Sequence, residues 1–190
     1  MKIYRLLLFI ISSVVLIGCD GSGKPAYKYT KQETNQFLDE IVKNAKVTIG
    51  NITEIEKQPT DELYIVTRYP LSKEKLDEYN KNNHSLKNKD NDISDFATYI
   101  FKGYNLVNEK NEKLQFVDKG RAVYLREGGL WEHNNVLCEN LAIDIELNKT
   151  YERLKGYITI EFEMPGNIFG RLKREVKIPV NMTIYDKVPE

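Results

Sequence analysis

Apolar side chains recur at every second position in three stretches of the C-terminal half: Leu141, Ile143, Ile145 and Leu147; then Ile158, Ile160, Phe162 and Met164; then Val176, Ile178, Val180, Met182 and Ile184. A period of two puts each series on one face of a strand and the intervening polar residues on the other, so the spacing predicts three long strands, each with a dry and a wet face. Pro165-Gly166-Asn167 predicts an antiparallel hairpin between the second and third. Pro179 has no N–H to give a ladder, which places the last strand at an edge or at a bulge. Two more β-branched and aromatic runs, 47–55 and 62–69, flank the turn-prone Gln58-Pro59-Thr60-Asp61 and read as a hairpin. Shorter strands are expected at 96–101, 104–107, 114–117 and 122–125, around a polar turn at 108–113.

Helical periodicity is confined to two places. Thr30-Lys31-Gln32-Glu33 has the form of a capping box, and Phe37, Leu38, Ile41, Val42 and Ala45 then fall on one helical face. The opposite face lacks a strong Lys/Arg excess, so the apolar stripe is expected to cover a sheet rather than lie on a membrane. Ser72 is placed to cap a short, charged surface helix over 73–80. The following 80–95, dominated by Asn, Lys and Asp, reads as a surface loop. The sum is an α+β fold, predominantly antiparallel β, in which a curved sheet carries one N-terminal amphipathic helix; a β-sandwich with a peripheral helix is the alternative.

The N-terminus has a different pattern. Met1-Lys2-Ile3-Tyr4-Arg5 precedes an apolar run over 6–17, broken only by Ser12 and Ser13, and then Gly18-Cys19. A positive start, a dozen apolar residues and a small residue at the end are the parts of a signal peptide. As a helix the run would span about 18 Å, short of the roughly 30 Å hydrocarbon core, which argues against a permanent transmembrane segment. Leu16-Ile17-Gly18-Cys19 resembles the lipobox of bacterial lipoproteins. The resemblance implies a diacylglycerol thioether on Cys19, cleavage after Gly18 and a membrane held through lipid, palmitate among the acyl chains. It further implies that Asp20, beside that cysteine, resembles the signal that retains such proteins in the inner membrane of enteric-type bacteria. The folded part would then stand outside the cytoplasm, on the periplasmic side. The chain is accordingly expected to divide into a signal peptide (1–18), a lipidated N-terminus and flexible Gly/Ser/Pro-bearing tether (19–29) and a single mainly β domain (30–190).

Composition narrows the functional classes. Lys and Arg number 28 against 28 Asp and Glu, and cleavage would remove Lys2 and Arg5, leaving no basic excess of the kind that binds nucleic acid. Only Cys19 and Cys138 are present, so with Cys19 lipidated no intramolecular disulfide is expected; Cys138 reads as a small buried hydrophobe in a strand. With two histidines, His84 and His133, far apart in the chain, no metal site and no cofactor are expected. No nucleophile elbow, phosphate loop or dinucleotide fingerprint occurs in the predicted domain. The strand carboxylates Glu139, Asp144, Glu146, Glu161 and Glu163 read as a solvated face.

One segment keeps a chemical alternative open. Trp131, Glu132 and His133 set an aromatic wall, an acid and an imidazole side by side; the plainer reading is a β-connection whose Trp plugs the end of the core. The functional expectation is a non-enzymatic, membrane-anchored binding or accessory protein that holds another envelope protein, an immunity-type lipoprotein being one version. The alternatives are an envelope hydrolase acting on peptidoglycan or lipid near Trp131, Glu132 and His133, and a periplasmic ligand or lipid carrier.

Overall fold

The computed structural model describes residues 27–49, 58–86, 92–117, 123–166 and 170–184. The expected signal peptide, Cys19, Asp20 and most of the tether lie outside the described residues, as do residues 50–55 of the run at 47–55.

The described chain is mostly antiparallel β, and its strands fall into two sheets rather than one curved sheet. In chain order the elements are α1 (Lys31–Asn44), β1 (Lys46–Thr48), β2 (Thr60–Pro70), α2 (Lys73–Lys81), a 3-10 helix (Ile93–Phe96), β3 (Thr98–Asn108), β4 (Lys113–Leu114), β5 (Val123–Tyr124), β6 (Arg126–His133), β7 (Val136–Tyr151), β8 (Arg153–Pro165) and β9 (Arg171–Thr183). The first sheet has the order β1-β2-β7-β6; the second has β4-β3-β8-β9, with β5 also on β3. The chain passes from one sheet to the other at Glu152, and an isolated bridge between Phe116 and Leu147 ties them again.

The alternation read from the sequence explains why both sheets bury one face. Leu63 and Ile65 of β2 and Leu141, Ile143, Ile145 and Leu147 of β7 are buried, and Leu154, Ile158, Ile160, Phe162 and Met164 of β8 join them in one core. The turn at the end of β8 is closed by the Gly166 N–H donating to the Gly170 carbonyl. Pro179 lies on β9, an edge strand, opposite Tyr157 and with no partner strand on its other side among the described residues.

α1 closes the gap between the sheets, packing on β2 of the first and on β8 and β9 of the second. Its start is a complete capping box: the Glu33 N–H donates to Thr30 Oγ1 (3.2 Å) and the Thr30 N–H to Glu33 Oε2 (2.7 Å). Leu38 and Ile41 are fully buried, and burial on that scale contributes about 1.5–3 kcal/mol per side chain. The Thr67 hydroxyl donates to the Ile41 carbonyl, which satisfies one of the helix's C-terminal acceptors, and the Asn44 side-chain amide donates back to the Arg68 carbonyl of β2 (3.2 Å). Arg174 of β9 reaches Asp39 (2.8 Å) and Asn35 (2.9 Å) on the other side of the helix.

Two readings of the sequence change here. The C-terminal end of the 80–95 stretch is not solvated loop: Asp92 and Ser94 are buried, Asp92 as the cap of the 3-10 helix and Ser94 within it. Trp131 does not plug the core; it lies 59% exposed on β6, another edge strand.

Candidate functional site

β2 leaves the core with Tyr69, whose ring meets Phe37 of α1 edge-on at 4.8 Å between centroids. The antiparallel register sets Glu139 of β7 directly opposite. Both belong to the inward series of their strands, Tyr69 two residues beyond Thr67 and Glu139 two before Leu141, so the pleat delivers a phenol and a carboxyl to the same end of the core. Glu139 is only 7% exposed.

Two covering elements complete the constellation. Ser72 caps α2 by accepting from the Lys75 N–H (3.2 Å), and the first turn of that helix then points Lys75 at the sheet. The 3-10 helix has its own reciprocal cap, with Asp92 Oδ1 accepting from the Ile93 N–H (2.7 Å) and Asp95 Oδ2 from the Asp92 N–H (2.8 Å). That cap turns the second oxygen of Asp92 inward. Lys75 Nζ lies 2.6 Å from Asp92 Oδ2 and 3.4 Å from Glu139 Oε2. The Tyr69 phenol contacts Asp92 Oδ2 within hydrogen-bond range, Glu139 Oε2 at 2.9 Å and Ser94 Oγ at 3.3 Å.

The proton count of this cluster decides its charge state. The phenol has one proton and Asp92 is its nearest acceptor; Ser94 has a hydroxyl proton to give back. Glu139 Oε2 therefore sits beside a phenol oxygen whose proton is committed elsewhere, an arrangement that is comfortable when Glu139 carries a proton of its own. Burial pushes the Glu139 carboxyl up to about 7, with the nearby Asp92 charge adding to the effect and Lys75 opposing it. Asp92 moves the other way: hydrogen bonds from Glu139, Lys75 and Tyr69 hold its carboxyl below the ordinary range against the cost of burial. Burial and the two carboxyls raise the Tyr69 phenol well above its usual value. Below about pH 7, where Glu139 keeps its proton, one ammonium, one carboxylate and one carboxylic acid make an electrically neutral, buried set.

The same 3-10 helix receives the start of the described chain. Tyr27 meets Phe96 edge-on at 5.0 Å, Tyr29 lies 6.3 Å from the same ring, and the two tyrosines are 5.6 Å apart. The Tyr27 hydroxyl bonds to that of Thr34 on α1.

The three residues singled out from the sequence are not brought together with a second acid. Trp131 and His133 share the outer face of β6, opposite Cys138 and Val136 of β7, while Glu132 alternates to the other face. Arg68 Nη1 donates to His133 Nδ1 at 2.9 Å, so the proton of the neutral ring is on Nε2, which is buried and has no hydrogen-bond partner among the described residues. Cys138 is buried as a free thiol, and burial raises it. Among the described residues no three of His, Cys, Asp and Glu gather closely enough to hold a metal, and no helix is long and apolar enough to cross a membrane.

The cluster at the strand ends was missed by sequence reasoning, which put Glu139 and Asp92 in solvent. One signal was present: Glu139 continues the series 141, 143, 145, 147 backwards by two, and so belongs with the dry face. Nothing of comparable strength marked Asp92, since its burial depends on where 92–96 folds back. Comparison with known proteins brings no family model, no curated protein and no solved structure that matches the chain.

Proposed function

We propose that this chain is a lipid-anchored, non-enzymatic binding protein of the bacterial envelope, which holds another envelope protein through the outer face of its β6–β7 hairpin. The anchor rests on Leu16-Ile17-Gly18-Cys19 and the apolar run before it. One observation carries the binding face: Trp131, on the edge strand β6, is 59% exposed, and its diagonal neighbour Val136 on β7 is 46% exposed. A tryptophan and a valine together in water on a two-residue hairpin contribute little to folding, whereas exposed aromatics are the side chains most often found as binding anchors. The tip is a tight primed turn, Asn134 and Asn135 both adopting positive φ (52° and 62°).

The buried Tyr69-Lys75-Asp92-Glu139 cluster supports the same reading. Its groups satisfy one another and it serves to hold α2 and the 3-10 helix on the sheet. The test is a photo-crosslinking amino acid placed at position 131 in living cells, with position 144, on the exposed part of β7, as control. One discrete membrane- or envelope-protein adduct at 131 and none at 144 is the expected result. Equal, diffuse labelling from both positions removes the proposal.

A further inference from the structure

The Tyr69-Lys75-Asp92-Glu139 cluster sits at a join. Asp92 and Ser94 open the 3-10 helix, Phe96 closes it, and Phe96 is the ring against which Tyr27 and Tyr29 pack. Whatever loosens Asp92 from the sheet therefore loosens one of the two surfaces to which the start of the domain is fastened, the other being the Thr34 hydroxyl of α1 that bonds Tyr27.

We infer that Asp92 and Glu139, with one proton between them under Tyr69 and Lys75, form a proton-operated clasp that holds the 3-10 helix, and with it the root of the N-terminal tether, on the end of the first sheet. The inference rests in part on the lipid-anchor reading, which gives the N-terminal segment its role as a tether; the clasp itself stands on the geometry of the cluster.

The groups facing the pair come from every element around it. β2 brings Tyr69, α2 brings Lys75, the 3-10 segment brings Ser94 and Asp95, α1 brings the uncharged Phe37 behind Tyr69, and β6 sets Leu130 opposite Glu139. Tyr29 completes the set on the outer side, its phenol raised by burial and by Asp92 and Asp95. Lys75 is the one cation among them. With Glu139 protonated, Lys75 and Asp92 balance. With Glu139 ionised, two carboxylates meet one ammonium in a place with little water, and the side that can move is the short 3-10 helix, not the paired strands. Opening lets Glu139 ionise at its ordinary value near 4.5, while in the clasp it does so at about 7. Linkage then requires the open fraction to rise with pH between those values, by at most about tenfold per pH unit, and to level off above.

The consequence is mechanical. Fully extended, the chain from Cys19 to Tyr27 spans at most about 28 Å, and freeing 27–29 adds about 10 Å. A closed clasp thus keeps the domain nearer the membrane surface, and an open one lets it reach further.

The experiment is hydrogen–deuterium exchange on the full chain in detergent micelles, from pH 5 to pH 8, read as protection factors for peptides covering 92–97 and 27–34. Protection of both should fall by at least tenfold over this range in the parent protein, and Glu139→Gln should abolish the pH dependence while keeping the low-pH protection. Asp92→Asn should lower protection at every pH; should that variant fail to fold, Glu139→Gln still decides. Flat protection in the parent, or an unchanged pH profile in Glu139→Gln, overturns the clasp. Membrane partition of the same preparation is scored separately, so loss of the anchor reading and loss of the clasp give different results.

Discussion

Tyr69 and Glu139 stand opposite one another in register on β2 and β7, and the phenol oxygen is 2.9 Å from the carboxyl. The contact joins the middle strands of the first sheet just where α2 and the 3-10 helix fold over it. Since the phenol proton goes to Asp92, the contact depends on the protonation of Glu139 more than on that of Tyr69.

The first prediction concerns stability against pH. Glu139 is raised in the folded state to about 7, so its contribution is fully present below about 4.5 and is lost as pH rises through about 7. Asp92 is lowered, so its contribution is present above about 3.8 and is lost as pH falls through its depressed folded value. Thermal unfolding should give the highest Tm between pH 4 and 5 as far as this pair is concerned. Glu139→Gln should be about 1–2 kcal/mol more stable than the parent at pH 8 and show no such gain at pH 5. A gain of the same size at both pH values would mean that packing, not ionisation, is responsible.

Tyr69→Phe tests the phenol alone. The edge-on contact with Phe37 survives, but Asp92 loses a charge-assisted donor in a buried place. Denaturant unfolding should show a cost of about 1–3 kcal/mol with an unchanged m-value. A loss below about 0.5 kcal/mol would indicate that water replaces the hydroxyl.

Much of the architecture was legible because it depends on period. The series in β7, β8 and β9 needed only the rule that one strand face is dry, and the Thr30 and Ser72 caps needed only side chains that accept from N–H groups three residues on. What escaped was set by distant pairing. Trp131 lies outside because β6 is an edge strand, and Asp92 lies inside because 92–96 returns to the end of β2; neither fact is local. Glu139 is the intermediate case, its parity visible in the sequence and its partner not.

Gly156 and Gly170 form a matched pair for backbone strain. Both have φ in the region L side chains rarely adopt, 136° and 142°, but a Cβ on Gly156 would lie 1.8 Å from the Asn105 carbonyl oxygen of β3, whereas Gly170 has open space. Gly156→Ala must push β3 and β8 apart, and a loss above about 3 kcal/mol, or failure to fold, is expected. Gly170→Ala carries only the backbone term, about 1–2 kcal/mol. Circular dichroism melts of the two variants settle the comparison; equal losses would contradict the close approach of β3 to β8.

Cys19→Ser addresses the anchor directly. Without a thiol to alkylate, the chain should persist as uncut precursor or leave the membrane, and the mass of native material should lose the lipid increment. An unmodified sulfur at position 19 in native protein would remove the lipoprotein reading while leaving the fold and the buried cluster untouched.

The face on β6 gives the sharpest separation of folding from binding. Trp131 is mostly in water and its neighbour Cys138 is already covered, so Trp131→Ala should change stability by no more than about 0.5 kcal/mol. If the indole is the anchor of an interface, the same change should weaken capture of the crosslinked partner by at least 30-fold, the scale of about 2 kcal/mol at a central contact. Glu132→Ala, one residue along and on the other face, serves as the control, since alternation takes it away from the patch. Equal effects of the two substitutions would point to the open backbone edge of β6, rather than the Trp131 face, as the surface that matters; no effect of either would move the binding site off this hairpin.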